Sequence, residues 1–133
     1  MTLYLDSSAL VKRYVAEEGS GEVLVAMKNA EVWSSCRVGF VEVVRAVGLK
    51  AGNKVSRKVK EDWLIFEVLD VDQALVERAA ELAISHRLRS LDAVHLAAAL
   101  ELRDDDPVFA TWDARLHRAA REHGLRTLPA ALD

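Results

Sequence analysis

Short β-prone runs recur along this chain, and a segment of helical periodicity separates each from the next. The runs are Thr2 to Leu5, Val32 to Ser35, Phe66 to Val71, Pro107 to Thr111 and Leu125 to Leu128. Between them, helical spacing predicts helices over Ala9 to Glu18, Glu22 to Ala30, Arg37 to Ala51 and Asn53 to about Leu64. Further helices are expected from Asp72 to His86, from Ser90 (read as a cap) onward, and over Asp113 to His123, with Gly124 closing the last. Strands joined through helices pair in parallel, and parallel sheets need cover on both faces. The expected fold is therefore a three-layer α/β/α domain with a mostly parallel sheet of four or five strands. A chain of 133 residues, 51% of them hydrophobic, has room for one such domain, residues 1–133. Surface scaling gives roughly 7,000 Å² folded against roughly 21,000 Å² extended, enough burial for a core without staples.

Composition removes several classes. The apolar fraction excludes disorder, and six glycines and two prolines exclude collagen-like or low-complexity character. The longest uncharged run, Ala93 to Leu100, is far short of the roughly 20 residues that span a bilayer. Met-Thr-Leu-Tyr-Leu-Asp carries no basic region before an apolar one, so no secretory signal is read and a cytoplasmic location is expected. Cys36 stands alone, which excludes an intramolecular disulfide and a multi-cysteine zinc site. The formal charge of −3 does not announce a nucleic-acid binder. Its distribution says more: Arg45, Lys50, Lys54, Arg57, Lys58 and Lys60 form a basic stretch with no acidic residue between Val43 and Lys60. Arg115, Arg118, Arg121 and Arg126 form a looser second group, and either can be a solvated helix face.

Four acidic residues draw attention by position. Asp6 ends the first strand and opens the first helix, and Asp113 stands in the same relation to Val108-Phe109-Ala110-Thr111. Asp92 lies in the first turn of its helix. Each has a simple explanation at the positive end of a helix dipole, worth about 0.3–1 kcal/mol. Glu42 lies opposite the stripe Phe40, Val43, Val44 and Val47, which favours an exposed ion pair with Arg45; yet Val38 and Val41 flank it on that face. Collectively the four mean more, because βα crossovers bring strand ends to one edge. Carboxylates gathered there without a counter-charge repel by about 3 kcal/mol per pair at about 5 Å and an effective dielectric of 20. A divalent cation removes that cost. Oxygen donors without a cysteine or histidine pair select Mg²⁺ or Mn²⁺, and such a site points to phosphodiester hydrolysis.

The chain resembles the PIN-domain ribonucleases, and among them the VapC toxins of toxin–antitoxin pairs. The resemblance spans essentially the whole chain. It rests on Leu5-Asp6-Ser7-Ser8-Ala9-Leu10-Val11-Lys12, Glu42-Val43-Val44-Arg45, Ser90-Leu91-Asp92-Ala93-Val94-His95-Leu96-Ala97 and Thr111-Trp112-Asp113-Ala114-Arg115-Leu116, in that order. It implies that Asp6, Glu42, Asp92 and Asp113 are an acidic quartet binding one or two Mg²⁺ or Mn²⁺ ions. Asp6, Asp92 and Asp113 are then the metal ligands, and Ser8 and Thr111 support them through their hydroxyls. It further implies an RNA substrate, a small antitoxin whose tail wraps the toxin, and a homodimer. The bulky Trp112 departs from the smaller or basic residues common between Thr111 and Asp113 in the family.

Beside such a site, Arg45, Lys54, Arg57 and Lys58 become candidate phosphate contacts. His95 shares a helix with Asp92, but a Mg²⁺ site has little use for it; His86, His117 and His123 read as helix-surface residues. Cys36, Trp33 and Trp63 read as buried apolar groups. Two other strand–helix chemistries fail on residues: Asp6 lacks the acidic neighbour of a phosphoryl-accepting receiver domain, and no lysine follows Lys60. Asp6-Ser7-Ser8 also lacks the second aspartate of a haloacid-dehalogenase-type phosphatase. A non-catalytic binding module stays open if Glu42 or Asp113 lies away from the cleft.

Overall fold

The computed structural model describes residues 1–132. The elements follow the order β1 (Thr2–Leu5), α1 (Ser7–Tyr14), α2 (Ser20–Asn29), β2 (Val32–Cys36), α3 (Arg37–Ala51), α4 (Asn53–Trp63) and β3 (Glu67–Leu69). Then come α5 (Gln73–His86), α6 (Ser90–Glu101), a 3₁₀ turn (Arg103–Asp105), β4 (Val108–Ala110), α7 (Ala114–Glu122) and β5 (Arg126–Leu128). All strand pairs are parallel, in the order β3-β2-β1-β4-β5. The accessible surface is 7260 Å², in line with scaling for one compact domain.

β1 shows how the layers are made. Its side chains alternate across the sheet. Leu3 and Leu5 enter the core beneath α1 to α4, with Val23, Met27, Val43, Val47 and Trp63. Tyr4 enters the opposite core beneath α5, α6 and α7, stacked on Phe109 with ring centroids 5.4 Å apart. α6 has no solvent face over most of its length. Ala93 to Leu100 are all buried, and the small Ala97, Ala98 and Ala99 let neighbouring elements approach its axis.

The element boundaries differ from expectation where caps intervene. α1 ends at Tyr14, not Glu18, because Val15 turns extended. Ser90 is the first residue of α6, and the extended cap is Arg89. β3 is only Glu67–Leu69, shorter than the apolar run around it. Asp6, Asp72 and Asp113 cap α1, α5 and α7, each accepting an amide hydrogen bond from the third residue on.

Strand order reverses at β1. The chain moves outward to β2 and β3, then returns to the other side of β1 to lay down β4 and β5. The carboxyl ends of β1 and β4 therefore flank a topological switch point, where open α/β sheets leave a crevice. The Asp6 amide donates to Ala110 O at 3.1 Å and fixes these two ends side by side.

Candidate active site

An open cleft of about 270 Å³ at the switch point is lined by Asp6, Ser7, Ser8, Glu42, Arg89, Asp92, Trp112 and Asp113. The fold thus brings together all four carboxylates singled out in the sequence. They come from four separate segments.

Asp6 is 2% exposed. Its Oδ1 accepts from the Ala9 amide at 2.9 Å and Ser8 Oγ at 2.7 Å, and its Oδ2 accepts from Thr111 Oγ1 at 2.5 Å. Burial raises its pKa, against the lowering effects of the His95 charge, Thr111, Ser8 and the Ala9 amide. Ser8 and Thr111 also tie the two strand ends together: Ser8 Oγ accepts from the Trp112 amide at 2.9 Å, and Thr111 Oγ1 from the Asp113 amide at 3.1 Å. The pair fixes the orientation of one carboxylate and the path of the loop carrying another.

Asp113 Oδ1 is used in capping α7, through the Leu116 amide at 2.9 Å. Its Oδ2 accepts from Arg89 at 3.1 Å, and the same guanidinium donates to Asp92 Oδ2 at 3.0 Å. Asp92 is raised in pKa by burial, which the Arg89 hydrogen bond and charge oppose and the Asp113 charge reinforces. Arg89 carries no signal in hydrophobic periodicity and was not expected here. Its side chain is 81% exposed and lies across two carboxylates as their counter-charge.

Glu42 does not make the expected pair with Arg45. Its Oε1 accepts from Ser7 Oγ at 2.5 Å and lies 2.7 Å from His95 Nε2. Burial pushes its pKa up, but the His95 hydrogen bond and charge, then Ser7, outweigh this and leave it below the usual range. The periodicity argument failed because α3 is buried on two sides. Val43 and Val47 fill one core while Val38 packs against the other, so the face between them is the wall of the cleft. Val41, which also flanks Glu42, is exposed.

His95 is 1% exposed and sits beneath the cleft floor. Its Nδ1 lies 2.8 Å from Tyr4 Oη and 3.6 Å from Cys36 Sγ, and its Nε2 faces Glu42. Burial lowers its pKa, but hydrogen bonds to Cys36 and Glu42 and the Asp6 charge raise it on balance to about 10. The histidine set aside in the sequence is thus enclosed under the acidic cluster, with Glu42 and Asp6 favouring its charged form. The sequence suggested carboxylates without a counter-charge; Arg89 provides one, and His95 hydrogen-bonds Glu42 from below. Cys36 is buried as expected, and its contact with His95 makes it part of this network.

Trp112 forms a wall of the cleft. Lys12 Nζ lies 5.0 Å from its ring centroid and pairs with Glu17 at 3.0 Å. Gly19 lies against the indole with φ of +92°; a Cβ there would stand 2.7 Å from Trp112 Cε2, so only glycine fits.

The basic residues of α4 lie elsewhere. Lys54 and Arg57 are exposed, and Lys58 pairs with Asp62 at 3.2 Å; none of these, nor the exposed Arg45, is among the residues that line the acidic cleft. Trp63 is buried and Trp33 half-buried, as apolar groups. His117 is not a surface residue: it is buried and bonded through Nε2 to Pro129 O at 2.7 Å. His86 and His123 are half-buried, their Nε2 atoms 2.9 Å apart.

The donors facing the cleft are carboxylate oxygens, and the single histidine is committed below them. That set suits a hard, oxygen-seeking divalent cation. Among the described residues no three side chains form a ready-made metal ligand group, consistent with the carboxylates being held by Arg89, Ser8, Thr111 and the helix caps.

A PIN domain family model matches residues 3–122. The chain is similar to Ribonuclease VapC45 of Mycobacterium tuberculosis, with 34% identity over 140 residues covering 98% of this chain and 97% of the relative. Among solved structures it resembles M. tuberculosis VapC20, described as a sarcin-ricin loop cleaving toxin, with a TM-score of 0.75 and 16% identity over 88% of this chain and 94% of that one. A toxin–antitoxin complex from Klebsiella pneumoniae matches with a TM-score of 0.69 and 17% identity, over 84% and 87% of the two chains. With a five-stranded parallel sheet reversing at an acid-lined cleft and near-full-length kinship to these ribonucleases, the chain belongs to the PIN-domain family and, within it, to the VapC ribonucleases.

Proposed function

We propose that the chain, working as a single PIN domain over residues 1–133, is a Mg²⁺-dependent endoribonuclease and the toxin of a toxin–antitoxin pair. The observation that carries this reading is the convergence of Asp6, Glu42, Asp92 and Asp113 on one cleft at the switch point. Asp6, Asp92 and Asp113 would hold Mg²⁺, with Mn²⁺ as a substitute. A divalent cation bound there neutralises phosphate charge and acidifies water. The chain's own groups do the rest. Ser8 and Thr111 hold Asp6 in one orientation. Glu42, fixed through Oε1 by Ser7 and His95, keeps Oε2 for the proton of the water that attacks phosphorus. Exposed Arg45, Lys54, Arg57 and Lys58 meet RNA phosphates away from the cut.

The partner is a small antitoxin whose tail places an arginine or lysine among the carboxylates. Arg89 supports this, since a guanidinium already fits between Asp92 and Asp113. The relatives' ribonuclease names and the Klebsiella complex support the toxin role. A homodimer in the cytoplasm completes the proposal; no helix among the described residues is long and apolar enough to cross a membrane.

The test is cleavage of total cellular RNA with Mg²⁺, in wild type and in Asp92→Asn, together with growth on expression alone and with the neighbouring small gene. Cut ends should appear with Mg²⁺, vanish in EDTA and vanish in the variant; growth should slow and then recover. Cleavage that persists in excess EDTA overturns the metal assignment. Harmless expression with intact cleavage turns the toxin into a housekeeping nuclease.

A further inference from the structure

Beyond the acidic cleft, two shallow cavities continue along the face between the end of α5 and the start of α7. The first, about 280 Å³, shares Arg89, Asp92 and Asp113 with the cleft and adds Arg87 and Arg115. The second, about 220 Å³, shares Arg87 and Arg115 with the first and adds Arg118. Adjacent cavities with shared walls therefore lead from the carboxylates past four guanidiniums. Arg87, Arg115 and Arg118 are all exposed.

This arrangement has local structure behind it. Arg87 caps α5 in the left-handed conformation, with φ of 56°, where glycine is the default. Its carbonyl accepts from Arg115 Nη1 at 2.9 Å, which fixes the second guanidinium over the first cavity. Arg115 and Arg118 lie one turn apart on α7 and share a face. Glu122, at the far end, is occupied with His86 at 3.3 Å.

We infer that Arg87, Arg115 and Arg118 form the track that binds the phosphates of single-stranded RNA immediately beside the bond to be cut. The inference rests on the ribonuclease reading of the acidic cleft. A polyanion does not approach a carboxylate cluster unaided, and the residues flanking the reacting phosphate have to supply the attraction. Guanidinium groups suit this because their planar donor forks match phosphate oxygens in pairs. Contacts of this kind position the strand without reading its bases. The basic residues on α4, by contrast, do not line any of these three adjacent cavities.

The experiment measures binding of a labelled 20-nucleotide mixed-sequence RNA in EDTA over a range of salt, alongside Mg²⁺-dependent cleavage. Arg87→Ala/Arg115→Ala/Arg118→Ala should lower the slope of log affinity against log salt by about 2, at about 0.7 per lost contact. Lysine at the three positions should restore most of the slope. Arg118→Glu alone, at an exposed site that carries no packing, should lower it by at least about 0.7 and keeps the test open should the triple variant fold poorly. A wild-type slope in both variants, with cleavage intact, overturns the track alone. A wild type that neither binds nor cuts RNA overturns the parent reading with it.

Discussion

At the scale of single residues, the site is defined by how its charges are compensated. Burial raises the pKa of Asp6 and Asp92, so the folded state disfavours their charged forms and both cost stability at neutral pH. Asp6→Asn and Asp92→Asn should each raise the melting temperature while reducing cleavage more than about 100-fold, beyond the roughly 10- to 100-fold loss typical of an outer partner. A lowered melting temperature in both would contradict that electrostatic account. His95→Ala should cost about 1–3 kcal/mol by stranding Tyr4 Oη and Glu42, and should lower kcat more than it raises KM. Urea titration and steady-state rates separate the two effects. Asp62, on α4 and bonded to Arg13 and Tyr14 of α1, behaves in the opposite sense to Asp6. Burial raises its pKa, but Tyr14, Lys58 and Arg13 outweigh that and leave it below the usual value. Its contribution is therefore present above about pH 4 and lost as pH falls through the lowered folded value. Asp62→Asn should flatten the acid limb of the stability curve, read by urea midpoints from pH 6 down to 3.

At the scale of elements, one device serves two purposes. Asp72 and Asp113 cap α5 and α7 with the same geometry, each accepting an amide hydrogen at 2.9 Å. Only Asp113 has its second oxygen in the cleft. Asp72→Ala and Asp113→Ala should each cost about 1 kcal/mol of stability, and only the second should abolish cleavage. Equal activities would place Asp113 with the purely structural caps. The cap of α5 at the other end is a left-handed arginine, and the cap before α6 is Arg89, so two helix boundaries deliver guanidiniums to the same face. That economy is invisible in periodicity, which registers which side of a helix is buried but not what its ends carry.

At the scale of the whole molecule, the cleft exists because the sheet reverses direction at β1. Asp6 and Asp113 are 107 positions apart and meet only through the pairing of β1 with β4. A cation that binds the folded chain and not the unfolded one stabilises by mass action, by about 2.7 kcal/mol at 100 times its Kd. Calorimetry should show a rise of several degrees with Mg²⁺, absent in Asp6→Asn. A wild type indifferent to Mg²⁺ at every concentration would leave the quartet without its cation.

The layered α/β/α architecture was legible in the sequence because strand and helix periodicities are local properties, recorded over a few residues each. Asp6, Asp92 and Asp113 were legible for the same reason: each sits at a helix start that local composition announces. The orientation and partners of Glu42, and the parts played by His95 and Arg89, were not. Glu42 faces a second wall that a single-helix wheel does not contain, since α3 packs against both cores. His95 joins the site only when Tyr4, Cys36 and Glu42 enclose it, and Arg89 becomes a counter-charge only when α6 and α7 bring Asp92 and Asp113 within reach. Burial and charge compensation depend on neighbours distant in the chain, so only the tertiary structure decided them.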